Sequence, residues 1–380
     1  MDMWAIQLFK LNFDHREVDA VANVVAGGWL SMGEKTSAFE CEFGRFLGDD
    51  VLCSAVSNGT AALHMALLAL DIGVDDEVII PSLTFVADVN VVNLVGAVPI
   101  LADATSLIDW NMSVDTIAAR ITDRTKAVIV VHYAGYPCKD IVAISQLCQE
   151  RGIGLIEDVA HAPGAAIDGK VCGTFGDIGC FSFFSNKNLS IGEGGMVSTL
   201  DPKLDKKLGY LRSHGMTTLT LDRHKGRAIT YDVAQPGLNY RMDEMRAAIG
   251  SVQLDKLPAG NARRGELTER YRSNLRGSAV SIPFGEQASN ATSVYHILPV
   301  LLPENADRIA VIGALKEKGI QSSIHYPPFW DFIAYKGQFS PNDSPVTADI
   351  CRRQLTLPLF PTMTEDEVDQ VCNALLEALA

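Results

Sequence analysis

The sequence predicts an α/β fold on a mainly parallel sheet over residues 1–255, followed by a smaller α+β unit over 256–380. Three observations carry that expectation. Short apolar runs suited to buried strands alternate with helical segments of about 10–15 residues. The alternation ends near residue 200, and the remainder mixes long charged helices with isolated strands. A chain of 380 residues also exceeds one ordinary core, so two units are the default.

The elements follow in order. Residues 15–27 and 35–47 suit amphipathic helices, joined by a loop from Gly27 to Gly33. Gly28 and Gly33 followed by Glu34-Lys35-Thr36 nearly spell a nucleotide P-loop, but Glu34 displaces the lysine by one position and no strand precedes it. Residues 51–56 form a short buried strand, and Ser57-Asn58-Gly59-Thr60 opens a helix over 61–70. Strand, glycine turn and helix N-terminus make an anion cradle, because free amides and the positive helix end converge there. Capping explains Asn58 and Thr60 equally well.

Residues 77–80 are a strand, 81–85 a turn and 86–95 a helix. Strand 98–102, helix 114–120, strand 127–131, helix 140–151 and strand 154–156 continue the pattern. Such interleaving covers a parallel sheet on both faces, and ligands then bind at the carboxyl ends of the strands. Polar loops at 58–60, 82–85 and 157–161 occupy three such ends. After a helix at 202–212, the polar passage 213–237 is long for a connection and suits a functional or interface loop. Residues 238–244 lead into a helix at 245–254, and Pro258 and Gly260 mark the expected boundary. Helix 262–275, strand 295–302, helix 306–318, a strand near 321–325 and helix 365–379 complete the chain.

Composition narrows the function. Hydrophobic residues at 47% and charged residues at 21% describe a well-packed soluble protein. No apolar run reaches the length of a membrane span and the start lacks a signal-peptide pattern, so a cytoplasmic location is expected. A net charge of −14 argues against a nucleic-acid surface. An anionic substrate then needs local donors, such as helix N-termini and single cations. The eight cysteines show no C-x-x-C pair, so they are expected to be buried thiols and no metal site is anticipated.

The chemistry concentrates in residues 178–199, IGCFSFFSNKNLSIGEGGMVST. An apolar run passes through Ser185-Asn186 into Lys187, and a glycine-rich turn follows. A lysine between apolar strands must be solvated, paired, deprotonated or covalently consumed. Kept neutral enough to attack a carbonyl, it forms the Schiff bases that pyridoxal 5'-phosphate (PLP) enzymes require. Taken alone, Lys187 suits a snorkelling strand-end lysine better. Other stretches reverse that balance.

PLP makes three further demands. A carboxylate must keep the ring nitrogen protonated, and Asp158 follows a buried strand. The phosphate needs amides and hydroxyls, which Asn58, Gly59, Thr60 and Ser182 can supply. The ring needs an apolar face, for which Phe85 is available. Each has a plainer alternative: a solvated strand-end acid, a helix cap, a core phenylalanine.

Together these stretches resemble the DegT/DnrJ/EryC1/StrS family of sugar aminotransferases, PLP enzymes of fold type I. The resemblance runs from Gly28-Trp29-Leu30 through NGTAALHMAL (58–67), PSLTFVA (81–87), IEDVAHAPGA (156–165), GTFGDIGCFSFFSNKNLSIGEGG (173–195) and LNYRMDEMRAAIG (238–250) to HYPP (325–328). It implies a seven-stranded, mainly parallel sheet between helices. Lys187 would carry the cofactor and shuttle protons, Asp158 would face the pyridine nitrogen, and His161 would neighbour the ring's 3-hydroxyl. Gly59, Thr60 and Ser182 would hold the phosphate, Phe85 would stack on the ring, and Asn239 would reach the phosphate across a homodimer interface.

The resemblance also implies an amino-acid donor, most often glutamate, and a keto-sugar acceptor, usually nucleotide-linked. A keto-cyclitol is the alternative acceptor. Related sugar dehydratases replace the lysine with histidine, so Lys187 favours transamination over dehydration or a regulatory role. A nucleotide-binding oxidoreductase would need a G-x-G-x-x-G turn, and SNGTAAL is not one. Trp29, Leu30, His325 and Tyr326, with Tyr295 and His296, are candidates for the acceptor pocket, with core packing as the equal alternative.

Overall fold

The computed structural model describes residues 4–218, 226, 229–285 and 290–380. Its framework is a set of short strands: β1 (Leu52–Val56), β2 (Glu77–Pro81), β3 (Val98–Ala102), β4 (Thr125–Val131), β5 (Gly154–Asp158), β8 (Ile178–Ser182) and β9 (Gly195–Thr199). Their Val, Ile and Leu side chains favour extended backbone, and strands buried on both faces show near-continuous apolar runs. They form one sheet in the order β1-β9-β8-β5-β4-β2-β3. From β3 across to β8 neighbours are parallel, and β9 runs antiparallel to both β8 and β1.

Because side chains alternate across a strand, the sheet feeds two cores. On one face Ala55, Ile79, Val128, Val130, Leu155, Phe181 and Met196 meet α2 (Glu34–Leu47), α5 (Val114–Ala118) and α6 (Ile141–Arg151). On the other, Val56, Val78, Ile80, Ile129, Ile156 and Val197 meet α3 (Gly59–Ala69), α4 (Val86–Leu94) and α7 (Pro202–Arg212). Phe43 of α2 packs edge-on to Phe181 and Phe183, with centroids 4.9 and 5.4 Å apart. Truncating such a fully buried phenylalanine costs about 3–5 kcal/mol. Two small hairpin strands, β6 (Ala166–Ile167) and β7 (Lys170–Val171), are joined by β10 (Ala291–Thr292).

The helices expected at 245–254 and 262–275 are one, α8 (Glu244–Leu275), a 32-residue helix with Pro258 inside it. Proline forgoes one helical hydrogen bond. Here α8 is held along its length by α1 (His15–Gly27), α2 and α11 (Glu365–Ala378). The helix therefore continues through residues 255 and 256 without a break.

Beyond it, β11 (Leu298–Leu301) pairs antiparallel with β12 (Gln354–Leu357). These strands share a core with Leu267, Tyr271 and Leu275 of α8, Val311 and Leu315 of α9 (Arg308–Glu317), and Val368 and Val371 of α11. The N-terminal arm joins this core through Ile6, which bridges to Ile320. The strand expected near 321–325 shrinks to isolated bridges at Ile320 and Ser323. Helix α10 (Pro345–Arg353) and β12 have no counterpart among the sequence expectations.

Of the passage 213–237, residues 219–225 and 227–228 lie outside the described residues. Bridges join Ser213 to Asn239 and Met216 to Val233. Among the described residues, no helix is long and apolar enough to cross a membrane.

Candidate active site

The turns that follow β1, β2, β5 and β8 converge on a cavity of about 640 Å³. An open α/β sheet places ligands at this end of its strands, and the volume suits a small cofactor with part of a substrate.

One wall is the start of α3. Asn58 caps the helix, its side-chain oxygen accepting from the Ala61 N–H at 2.8 Å. By helix geometry the first-turn amides of Gly59 and Thr60 have no partner within the helix, and the positive helix end lies beside them. A Cβ on Gly59 would stand 2.8 Å from Cβ of Ser182. Glycine therefore lets α3 close on β8 and brings the Ser182 hydroxyl to the same wall.

Lys187 rises from the opposite loop. Its N–H donates to the Phe184 carbonyl at 2.8 Å, while Phe183 and Ile191 N–H groups donate to Gly194 and Phe183. Gly192, at φ +88°, supplies the left-handed turn that closes the loop. Asn188 fastens it to the rest of the protein, because Nδ2 donates to Asn261 Oδ1 of α8 and to the Val294 carbonyl, both at 2.8 Å. Lys187 lies deep in the cavity and is partly open to it. Burial lowers its ammonium to about 8 although the Asp158 charge opposes this. A useful fraction of the amine is then unprotonated near neutral pH.

Asp158 is the last residue of β5 and is 7% exposed. Burial raises its carboxyl, while the Ala160 N–H, donating to Oδ1 at 2.8 Å, and the nearby Lys187 act in the other direction. Glu157, one residue earlier, faces the opposite side of the sheet. It accepts from the amides of Gly173, Phe175 and Gly176 at 2.7–2.8 Å and lies 3.0 Å from His132 Nε2. His132, Glu157 and Cys172 are metal-ligand types within 4.8 Å of one another. His132 Nδ1 already accepts from the Cys138 N–H, so Nε2 carries the proton that Glu157 accepts. That cluster is a support for the loop 173–176 rather than a metal centre.

His161 is held neutral, well below its ordinary value by burial. Its Nδ1 accepts from the Ala134 N–H at 3.2 Å, so Nε2 keeps the proton and donates to the Tyr326 oxygen at 2.9 Å. The Tyr326 hydroxyl hydrogen is then free for another acceptor. Burial raises the Tyr326 phenol, so it stays protonated. Phe85, 51% exposed, lies 5.4 Å centroid to centroid from the Tyr326 ring.

The structure thus brings Asn58, Gly59, Thr60, Phe85, Asp158, His161, Ser182, Lys187, His325 and Tyr326 to one cavity. It places other expected residues elsewhere within the chain. Trp29 packs over Gly33, and Leu30, 45% exposed, accepts the Glu244 N–H at the start of α8. Asn239 is exposed and does not line the cavity. Tyr295 packs against Tyr136, and His296 stands behind His161 with ring centroids 4.4 Å apart. Tyr240, Asn186, Glu193 and Thr84 line the cavity without having been singled out. Of these, Asn186 and Glu193 flank the lysine turn in sequence, which was the available signal.

A lysine of lowered basicity, a buried carboxylate and an anion cradle in one cavity fit the demands of PLP. Comparison with known proteins agrees. The profile of the DegT/DnrJ/EryC1/StrS aminotransferase family matches residues 12–376. A dTDP-4-dehydro-2,3,6-trideoxy-D-glucose 4-aminotransferase from Saccharopolyspora spinosa is 36% identical over 368 residues, covering 96% of this chain and 94% of the relative. The aminotransferase TlmJ from Streptoalloteichus hindustanus superposes with a TM-score of 0.90 at 34% identity, over 98% of both chains. Spr1654 from Streptococcus pneumoniae, solved in its PLP form, gives 0.88 at 27% identity over 97% of this chain and 96% of that one. The sheet, the cavity and these likenesses agree: the chain belongs to the DegT/DnrJ/EryC1/StrS aminotransferase family, the sugar aminotransferases of PLP fold type I, and is a PLP-dependent aminotransferase.

Proposed function

We propose that the enzyme moves the amino group of an amino acid, glutamate by preference, to the keto group of a nucleotide-linked sugar in a ping-pong cycle. The observation that carries the reading is Lys187, an amine of lowered basicity sharing a buried cavity with Asp158. The name of the Saccharopolyspora spinosa relative supports a keto sugar carried on dTDP.

When bound, PLP supplies an electron sink for the pair left at the donor's Cα. The residues of the chain do the rest. Lys187 would hold the cofactor aldehyde, and its freed Nζ would shuttle the proton between the substrate carbon and the bound cofactor in each half of the cycle. Asp158 would keep a proton on the ring nitrogen. Gly59, Thr60 and Ser182 would bind the phosphate with amides and a hydroxyl, and Phe85 would cover the ring. His161, which donates to the Tyr326 oxygen, would neighbour the ring's 3-hydroxyl. In a homodimer, Asn239 of each subunit completes the phosphate site of the other.

The test has two arms. Glutamate alone should convert the visible absorption of the holoenzyme to that of the aminated cofactor and release 2-oxoglutarate. A panel of dTDP-linked keto sugars and free keto-cyclitols should then restore the original spectrum. Recovery with cyclitols only would replace the nucleotide-sugar reading, and no response to any amino donor would remove transamination.

A further inference from the structure

His296, just before β11, is buried and tied at both backbone ends. Its N–H donates to the Ala134 carbonyl at 2.8 Å, and its carbonyl accepts from Arg264 Nη1 at 2.9 Å. Gly135, at φ +90°, permits this approach, since a Cβ there would stand 2.6 Å from the His296 nitrogen. The ring then touches two parts of the candidate active site. Its Nδ1 lies 2.9 Å from Oδ1 of Asn188, the residue that follows Lys187. One face lies against His161, with centroids 4.4 Å apart and planes at 43°.

The hydrogen bonds fix where the ring carries its proton. Asn188 Nδ2 donates to Asn261 Oδ1 and to the Val294 carbonyl, both at 2.8 Å. A carbonyl only accepts, so the Asn188 amide has one orientation and Oδ1 is its acceptor. His296 Nδ1 must therefore be the donor. Burial, and after it His161, Lys187, Arg264 and His325, hold the ring neutral, well below its ordinary value; none of these groups is an acid. A neutral ring with its proton on Nδ1 is a donor that does not change near neutral pH. Asn188 and Lys187 share a peptide bond, so the position of one constrains the position of the other.

We propose that His296 is a positioning residue: through the Asn188 side chain it sets the turn that presents the Lys187 amine to the cavity. Its importance for turnover rests on the proposed role of Lys187, but its hold on the lysine does not.

The test reads the amine in the full chain without cofactor. The pH dependence of Lys187 acylation by acetic anhydride, followed on its peptide by mass spectrometry, should have a wild-type midpoint at about 8. His296→Phe keeps a ring against His161 and removes the donor. The turn then loosens, water reaches the amine, and the midpoint should rise by about one pH unit toward 10.5. Asn188→Ala removes the other end of the same bond and should also raise it. The double variant should rise no further than Asn188→Ala alone, because one interaction is lost only once. His296→Asn places an N–H near the position of Nδ1 and should restore the wild-type midpoint, a rescue that a ring needed only for packing would not show. Asn188→Ala and His296→Asn still read the bond if the buried phenylalanine prevents folding. An unmoved midpoint in Asn188→Ala, a double variant that rises by the sum, or His296→Asn shifted as far as Asn188→Ala would each overturn the proposal. If these midpoints held while the wild type transferred no amino group, the proposed function would fail and the placement of Lys187 by His296 would stand.

Discussion

Lys187 and Asp158 line one cavity, and each opposes the effect of burial on the other's charge. Burial lowers the Lys187 ammonium to about 8 and the Asp158 charge pulls it back up. Burial raises the Asp158 carboxyl and Lys187 pulls it back down. Asp158 thus limits how far burial depresses the Lys187 ammonium, and Lys187 limits how far burial raises the Asp158 carboxyl.

Lys187→Ala should abolish steady-state transamination and leave the fold intact. The lysine's backbone turn is closed by the Phe184 carbonyl and the Asn188 contacts, none of which uses the amine. Turnover assays and the melting temperature of the purified variant check this. More than a trace of activity would exclude Lys187 as the proton carrier.

The same amine gives a pH-dependent stability without cofactor. Its value falls from 10.5 to about 8 on folding, so between these limits the unfolded chain binds more protons and wild-type stability rises with pH. Below about 8 the fold carries a charged lysine at full cost. Lys187→Met should therefore be more stable than wild type near neutral pH, by about 2 kcal/mol once cavity water is allowed for. The advantage should fade toward pH 10.5. Denaturant unfolding across that range decides it, and a constant difference would refute the mechanism.

Asp158→Asn should lower turnover by orders of magnitude while PLP still binds, since the proposed phosphate site at Gly59, Thr60 and Ser182 is separate from this carboxyl. An amide cannot stabilise a protonated ring nitrogen as a carboxylate does. Cofactor retention by absorbance and kcat for the same preparation separate the two effects. Near-normal kcat would remove Asp158 from the chemistry.

Much of the framework was legible because it is local. The strand, turn and helix from Leu52 to Ala69 follow from apolar runs, one glycine and one capping asparagine. What escaped depends on distant partners or on the facing of a strand. Glu244 caps α2 from the start of α8, accepting from Gly33, Lys35 and Thr36 N–H groups at 2.8–2.9 Å, the first of them 211 positions away. Tyr240 reaches the cavity because its carbonyl accepts from Ser57 N–H beside β1. Glu157 and Asp158 are adjacent acids, and the strand's alternation alone sends one to the cavity and the other to the loop 173–176. At Pro258, tertiary packing outweighed a local break signal.

Asn239 remains outside the cavity of its own chain, and a dimer gives that position a purpose. It is exposed, it follows the passage 213–237, and its neighbour Tyr240 lines the cavity. Phe85 and Phe184 also line that cavity while 51% and 43% exposed, as expected of a wall that a second subunit covers. Two amides and a hydroxyl leave a phosphate short of donors, and a side-chain amide from a partner supplies another. Asn239→Ala should then weaken PLP retention by about 1.5–3 kcal/mol, one hydrogen bond to a charged group. Neither Lys187→Ala nor Asn239→Ala homodimers should match wild type. When the two are mixed, dissociated and reassociated, each heterodimer has one site with both defects and one with neither, so activity should reappear at up to about half the wild-type level per heterodimer. Activity that never rises above the sum of the parents, or a fully active species that sediments as a monomer, would show that each chain builds its site alone.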